Sequence, residues 1–250
     1  MNKKRDFSII QNKIENLQNI EVTKPLYINY HRKKLPIYML KLEKYKKNPW
    51  ILIASGCHGE EPGAVYALLE SIPILKEYSY KYNFLLFPVM NPYGYIAKSR
   101  FVKYTKKKRC NEANLNFQFH DKTKNKIAKY IMKQIEKYKP IVSLDCHEDD
   151  ACKYLSLFER TEGTIKPINL LELSNIVELY TKATCYGDPV EKGVILSKVK
   201  EETLEYYSFT HGSKISITLE LPGKKDLYFR ILVGKEAIKL ILKKLGGKKL

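Results

Sequence analysis

Two histidines and two glutamates stand at or near the ends of apolar runs, in a pattern that suits metal-assisted hydrolysis. In Trp50-Ile-Leu-Ile-Ala-Ser-Gly-Cys-His58-Gly-Glu-Glu61-Pro-Gly63 a continuously apolar segment stops in glycines, a histidine and two carboxylates. A histidine and a glutamate three residues apart in a strand-to-helix turn can face one point, offering an imidazole nitrogen and a carboxylate oxygen. Catalytic zinc commonly takes three such protein ligands and leaves the fourth position to water. HxxE alone is a weak motif, because ordinary surface pairs produce it, and its place at a strand end is what strengthens it. A second apolar run, Ile141-Val-Ser-Leu-Asp-Cys-His147-Glu-Asp-Asp150, also ends in a histidine among acids. A third, residues 214–223, puts Ile215, Ile217, Leu219 and Leu221 on one strand face and Ser216, Thr218 and Glu220 on the other. Glu220 is there either a surface residue of an edge strand or a site residue.

The elements around these residues follow from pattern. Residues 50–54 read as a central strand covered on both faces, and Pro62 with the apolar run 64–69 opens a helix, proline being tolerated in a first turn. Ligands in open α/β sheets bind at the carboxyl ends of strands. Residues 83–90 form another buried strand, ending at the turn Asn91-Pro-Tyr-Gly-Tyr95, and Ile127, Tyr130, Ile131 and Ile135 mark a helix closed by Pro140. If the strands at 50 and 141 run parallel, both histidines share one carboxyl edge. Cys57 and Cys146, each preceding a histidine, then point away from it and are expected to be buried packing groups. Phe7, Ile10, Ile14 and Leu17 predict a first amphipathic helix. Residues 26–30 and 36–42 predict a hairpin about a polar turn holding a solvated His31. Ile238, Ile241, Leu242 and Leu245 predict a C-terminal helix. Residues 96–122 read as one long loop, 165–184 as mixed helix, and 187–202 show no pattern.

The totals bound the function. At 250 residues, 1–250 is expected to be a single domain able to bury a core by itself, so a metal would serve chemistry and not folding. Five cysteines without paired spacing, no apolar signal core near Met1, and no run approaching ~20 apolar residues point to a cytoplasmic chain that spans no membrane. The net charge of +18, from 45 Lys and Arg against 27 Asp and Glu, invites a nucleic-acid reading. The lysines are spread over the whole chain, however, and only Lys103-Tyr-Thr-Lys-Lys-Lys-Arg109 is a true cluster, so the charge is read as compositional bias and nucleic acid is not the expected partner.

With His58, Glu61, His147 and Glu220 in hand, the chain resembles the zinc carboxypeptidase family, including its aspartoacylase and succinylglutamate desuccinylase branch. The resemblance runs from about residue 50 to 223. It is carried by His58-Gly-Glu-Glu61, by Asn91-Pro-Tyr-Gly94 at the usual Asn-Pro-Asp-Gly turn, by Leu144-Asp-Cys-His147, and by Thr218-Leu-Glu220-Leu. It implies an α/β fold with a mixed, mostly parallel eight-stranded sheet and helices on both faces, one zinc ion per chain held by His58, Glu61 and His147, and Glu220 as general base. Asp145 shares strand phase with His147 and could orient it. In Arg109-Cys-Asn111-Glu-Ala-Asn114-Leu-Asn116-Phe117 the resemblance makes Arg109 the cation that polarises the scissile carbonyl, with Arg100 the second candidate, and Asn116 a ligand of a substrate carboxylate.

The pattern breaks at Phe117, where the family has the arginine that grips a terminal carboxylate, and Asn114 stands where the motif has aspartate. Lys103, Arg100 or another loop cation would have to substitute. The family's active-site tyrosine has no clear counterpart. Three functions follow: a carboxypeptidase acting on a peptide, acidic or cell-wall-derived given the basic loop; a deacylase of N-acyl amino acids; or a basic binding protein that has lost the chemistry.

Overall fold

The computed structural model describes residues 5–103, 111–163, 165–185, 187–198 and 202–247. In chain order its elements are helix α1 (Ser8–Glu15), strands β1 (Glu21–Tyr30), β2 (Lys33–Leu42) and β3 (Trp50–Ser55), and helices α2 (Pro62–Glu70) and α3 (Ile72–Tyr78). Strand β4 (Asn83–Phe87), helices α4 (Pro92–Ala97) and α5 (Lys126–Tyr138) and strand β5 (Val142–Asp149) follow. The last part holds β6 (Ser156–Thr161), β7 (Thr184–Cys185), β8 (Asp188–Glu191), β9 (Val194–Leu196), α6 (Leu204–Thr210), β10 (Ile215–Pro222) and α7 (Leu227–Gly246).

All ten strands join one sheet in the order β1-β2-β4-β3-β5-β10-β6-β9-β8-β7. The unbroken apolar runs lie in its middle. β3 pairs in parallel with both β4 and β5, and β5 pairs in parallel with β10. Alternate residues of these strands enter opposite cores. Ile51, Ile53, Leu86, Leu144 and Ile217 pack with α1, α2, α3 and α7, whereas Leu52, Ala54, Leu85 and Phe87 pack with α5 and α6. Helices therefore cover both faces. The β1–β2 hairpin turns at an exposed His31 with φ of 50°, and Pro140 follows the end of α5 at Lys139.

The expected eight-stranded, mostly parallel sheet is corrected in two respects: among the described residues it has ten strands, and four of their nine pairings are parallel while five are antiparallel. The surplus comes from the region after His147, where β7, β8 and β9 have only 2, 4 and 3 residues. Strands that short carry no readable alternation. Among the described residues no helix is long and apolar enough to cross a membrane.

The contact between α2 and α7 is close enough to test. A Cβ placed on Gly234 would lie 2.5 Å from Ala67 Cβ and 3.0 Å from Leu221 Cδ1. Overpacking of this kind costs ~1–3 kcal/mol, against the ~1 kcal/mol that alanine gains over glycine in a helix. Gly234→Ala is therefore expected to lower the stability read by urea denaturation, by about 1 kcal/mol; unchanged or higher stability would show that the two helices part freely.

Candidate metal centre

β3, β5 and β10 run in parallel and finish at one edge of the sheet. Ser55 lies opposite Cys146, and His147 lies opposite Glu220. Partners in a parallel pair share a face, so His147 and Glu220 project on the same side, as do Asp145 with Thr218 and Ser143 with Ser216, whose hydroxyls are hydrogen-bonded at 2.9 Å.

The loop after β3 is built by close backbone contact. Gly56 turns it with φ of +65°, and a Cβ on Gly59 would sit 1.8 Å from the carbonyl carbon of Gly94, so neither position tolerates a side chain without rearrangement. The Asn91-Pro-Tyr-Gly94 turn is the support: Asn91 Oδ1 accepts the Gly94 amide at 2.8 Å while its Nδ2 donates to the Cys57 carbonyl at 3.2 Å. From another side the Arg5 guanidinium donates to the carbonyls of Gly59 and Glu60. Glu61 then occupies the N-cap position of α2 without a side-chain capping bond, Pro62 lies in the first turn, and Glu148, paired with Arg230, accepts the Ala64 amide at 2.9 Å.

These supports turn two imidazoles onto one carboxylate. His58 Nδ1 is 2.7 Å from Glu61 Oε1, and His147 Nδ1 is 3.0 Å from Glu61 Oε2. The opposite ring nitrogens have oxygen neighbours of their own, Asn114 Oδ1 at 3.1 Å from His58 Nε2 and Asp145 Oδ2 at 3.1 Å from His147 Nε2. The Asn114 contact is a hydrogen bond and the Asp145 contact an ion pair outside hydrogen-bond geometry; partners behind a histidine ligand of either kind help to set its orientation. The three side chains are buried, and their donor atoms all lie within 4.8 Å of one another. Two imidazole nitrogens and a carboxylate oxygen, inward-facing and braced from behind, fit zinc.

Electrostatics follow from this crowding. Burial works against the Glu61 charge, but His58 and His147 outweigh it and bring the carboxyl down to about 2. Burial likewise opposes the His147 charge, yet Asp145 and Glu61 hold that imidazolium well above its ordinary range. Glu220 behaves oppositely: burial, with repulsion from Glu61, Asp149 and Asp145 and against the attraction of His147, pushes its carboxyl up to about 8.

The centre opens into a cavity of about 490 Å³ lined by His58, Glu61, His147, Glu220, Arg100 and Asn116, among others. Arg100 donates through Nε to Glu60 Oε1 at 3.0 Å and brings Nη2 to 3.6 Å from Glu61 Oε1, so Glu60 faces a guanidinium and stands outside the His-Glu-His cluster. Arg109 lies outside the described residues. Cys57 and Cys146 are buried, and burial raises both thiols well above their usual range. Sequence reasoning missed two residues here. Asn114, known from the sequence only as the residue at the motif's aspartate position, backs His58 from between two 3-10 turns, a role the sequence did not announce. Tyr180 lines the cavity from residues 165–184, which the sequence suggested were mixed helix but whose described residues hold no helix beyond one 3-10 turn, Leu171–Leu173.

A family model described as zinc carboxypeptidase matches residues 21–239. A search of curated protein sequences finds no match. Among solved structures, one from Shewanella baltica with a metallopeptidase designation superposes with a TM-score of 0.77 at 18% identity, covering 95% of this chain and 90% of that one. A metallo-carboxypeptidase from Burkholderia cenocepacia gives 0.68 at 13% identity, covering 96% and 68%. A carboxypeptidase A from Helicoverpa armigera gives 0.63 at 15% identity, covering 95% and 72%. At these identities the structures speak for the fold alone.

The shifted carboxyl of Glu220 makes a stability prediction for metal-free protein. Its folded value of about 8 exceeds the ordinary 4.5, so its contribution is complete below pH 4.5 and is lost as pH rises through 8. His147 adds a loss in the same direction, but only above its ordinary 6.5. Metal-free Glu220→Gln is thus expected to lose less thermal stability than native protein between pH 4.5 and 6.5. Parallel melting curves across that window would contradict the environment assigned to Glu220.

Proposed function

The chain belongs to the zinc carboxypeptidase family, and from that premise we propose that it is a zinc-dependent hydrolase cleaving the C-terminal amide bond of a peptide. The observation that carries this reading is the buried His58–Glu61–His147 cluster with Glu220 on the same cavity. Zinc, one per chain, would supply Lewis acidity there, polarising an amide carbonyl and making water acidic enough to lose a proton near neutral pH. In this reading His58, Glu61 and His147 hold the ion, and Asn114 and Asp145 keep the two imidazoles facing it. Glu220 takes a proton from the attacking water and gives it to the departing amine. Arg100 offers a permanent positive charge where an oxyanion develops, a role that Arg109 could share, and Asn116 offers an amide to the substrate. The described cysteines are free, which fits the reducing, cytoplasmic setting we assign to it.

Zinc-dependent turnover of peptides, with N-acyl amino acids assayed beside them, tests the reading and decides between peptidase and deacylase. Glu220→Gln is expected to keep its zinc and lose about 10²–10⁴-fold in turnover, the usual contribution of a general base. A zinc-loaded variant with native turnover would remove Glu220 from the chemistry.

A further inference from the structure

The turn that carries His58 and Glu61 is gripped by a residue from the start of the chain. The Glu61 amide donates to the His58 carbonyl at 3.3 Å, which closes a turn with Gly59 and Glu60 at its centre. The carbonyls of these two central residues meet one guanidinium: Arg5 donates through Nη1 to Gly59 and through Nη2 to Glu60, the second at 3.2 Å. The peptide plane between Gly59 and Glu60 is the one that flips when a turn changes type, and the next plane sets the direction in which the Glu61 side chain leaves the backbone. A rigid, planar fork fixes both planes at once, which a single ammonium cannot do.

Other contacts close the remaining freedom of the turn. Gly59 abuts the backbone of Gly94 and donates its amide to the Ser99 carbonyl at 3.0 Å, while the Glu60 side chain is tied to Arg100. Arg5 is itself anchored. Its amide donates to the Ile96 carbonyl at 3.3 Å, its guanidinium lies 5.3 Å from the centre of the Tyr95 ring, Phe7 packs on the same ring at 5.9 Å, and Ile10 and Ile14 bury α1 in the core. This segment precedes residues 21–239, where the family model matches, and the resemblance gives Arg5 no role.

We propose that Arg5 is a positioning residue of the metal centre: by fixing the two peptide planes between His58 and Glu61 it holds both ligands in register with His147 and so raises the affinity for zinc. This rests on the reading of those three residues as zinc ligands. Charge and geometry act here in opposite senses. A cation near the centre repels zinc, so loss of the Arg5 charge alone would tighten binding. Loss of the fork frees the turn and weakens it.

The test measures zinc affinity by competition with a chromogenic chelator, and amide hydrogen exchange of the segment 56–61 in metal-free protein, for native protein, Arg5→Met, Arg5→Lys and Ile14→Ala. Methionine keeps an apolar stem against Tyr95 and removes the donors. Ile14→Ala loosens α1 without touching the turn, and melting curves report the loss of stability in each variant. Arg5→Met is expected to raise the zinc dissociation constant about tenfold or more, the lower end of what residues behind metal ligands contribute, and to speed exchange of the segment. Arg5→Lys should fall between it and native protein. Ile14→Ala should melt at lower temperature with native zinc affinity and native exchange. Unchanged or tighter zinc binding in Arg5→Met, or equal weakening in Ile14→Ala, overturns the proposal. Native protein that takes up no zinc contradicts the metal centre instead, and exchange then still decides the part played by Arg5: native protection of 56–61 in Arg5→Met overturns it.

Discussion

The parallel register of β3, β5 and β10 is the constraint on which the site depends. These strands end together, and the loops that leave them deliver His58 with Glu61, then His147, then Glu220 to one edge. Because side chains alternate along a strand, a slip of one residue would send His147 or Glu220 into the apolar core of the opposite face. The Leu144, Cys146, Ile217 and Leu219 side chains resist that slip, since they would have to leave their core in exchange. The same alternation that buries the core therefore aims the chemistry.

A second constraint is electrostatic. Glu61, Asp145 and Glu148 lie at the strand ends with almost no access to water, and a carboxylate in such a place is stable only with partners. Each has one of opposite or complementary charge: both imidazoles for Glu61, His147 for Asp145, Arg230 for Glu148. A fold built only for stability would fill this volume with apolar side chains. The retained charges, braced by Asn91, Asn114 and Arg5, form a preorganised cluster that could hold a cation, its geometry set by backbone and hydrogen bonds.

What could be read in the sequence depended on how each residue is positioned. His58, His147 and Glu220 lie at or close behind the ends of long apolar runs, where strand length and alternation alone give their placement. The central strands and the helices α1, α2, α5 and α7 were legible for the same reason. The parts played by Asn114 and Tyr180 were not, because Asn114 sits between two 3-10 turns and Tyr180 in an irregular stretch, and both are placed by tertiary contacts. The sheet was underestimated by the same cause: β7, β8 and β9 exist through pairing with one another and with β6, and have no intrinsic periodicity.

The most direct test of the central claim is metal content. Native protein and His147→Ala, purified alike and offered zinc, would be analysed by inductively coupled plasma mass spectrometry. The account predicts about one zinc per folded native chain and little in the variant, since two remaining ligands hold the ion far more weakly than three. A native protein that takes up no zinc, or a variant that binds as much as the native, would contradict the assignment of His58, Glu61 and His147 as a metal centre.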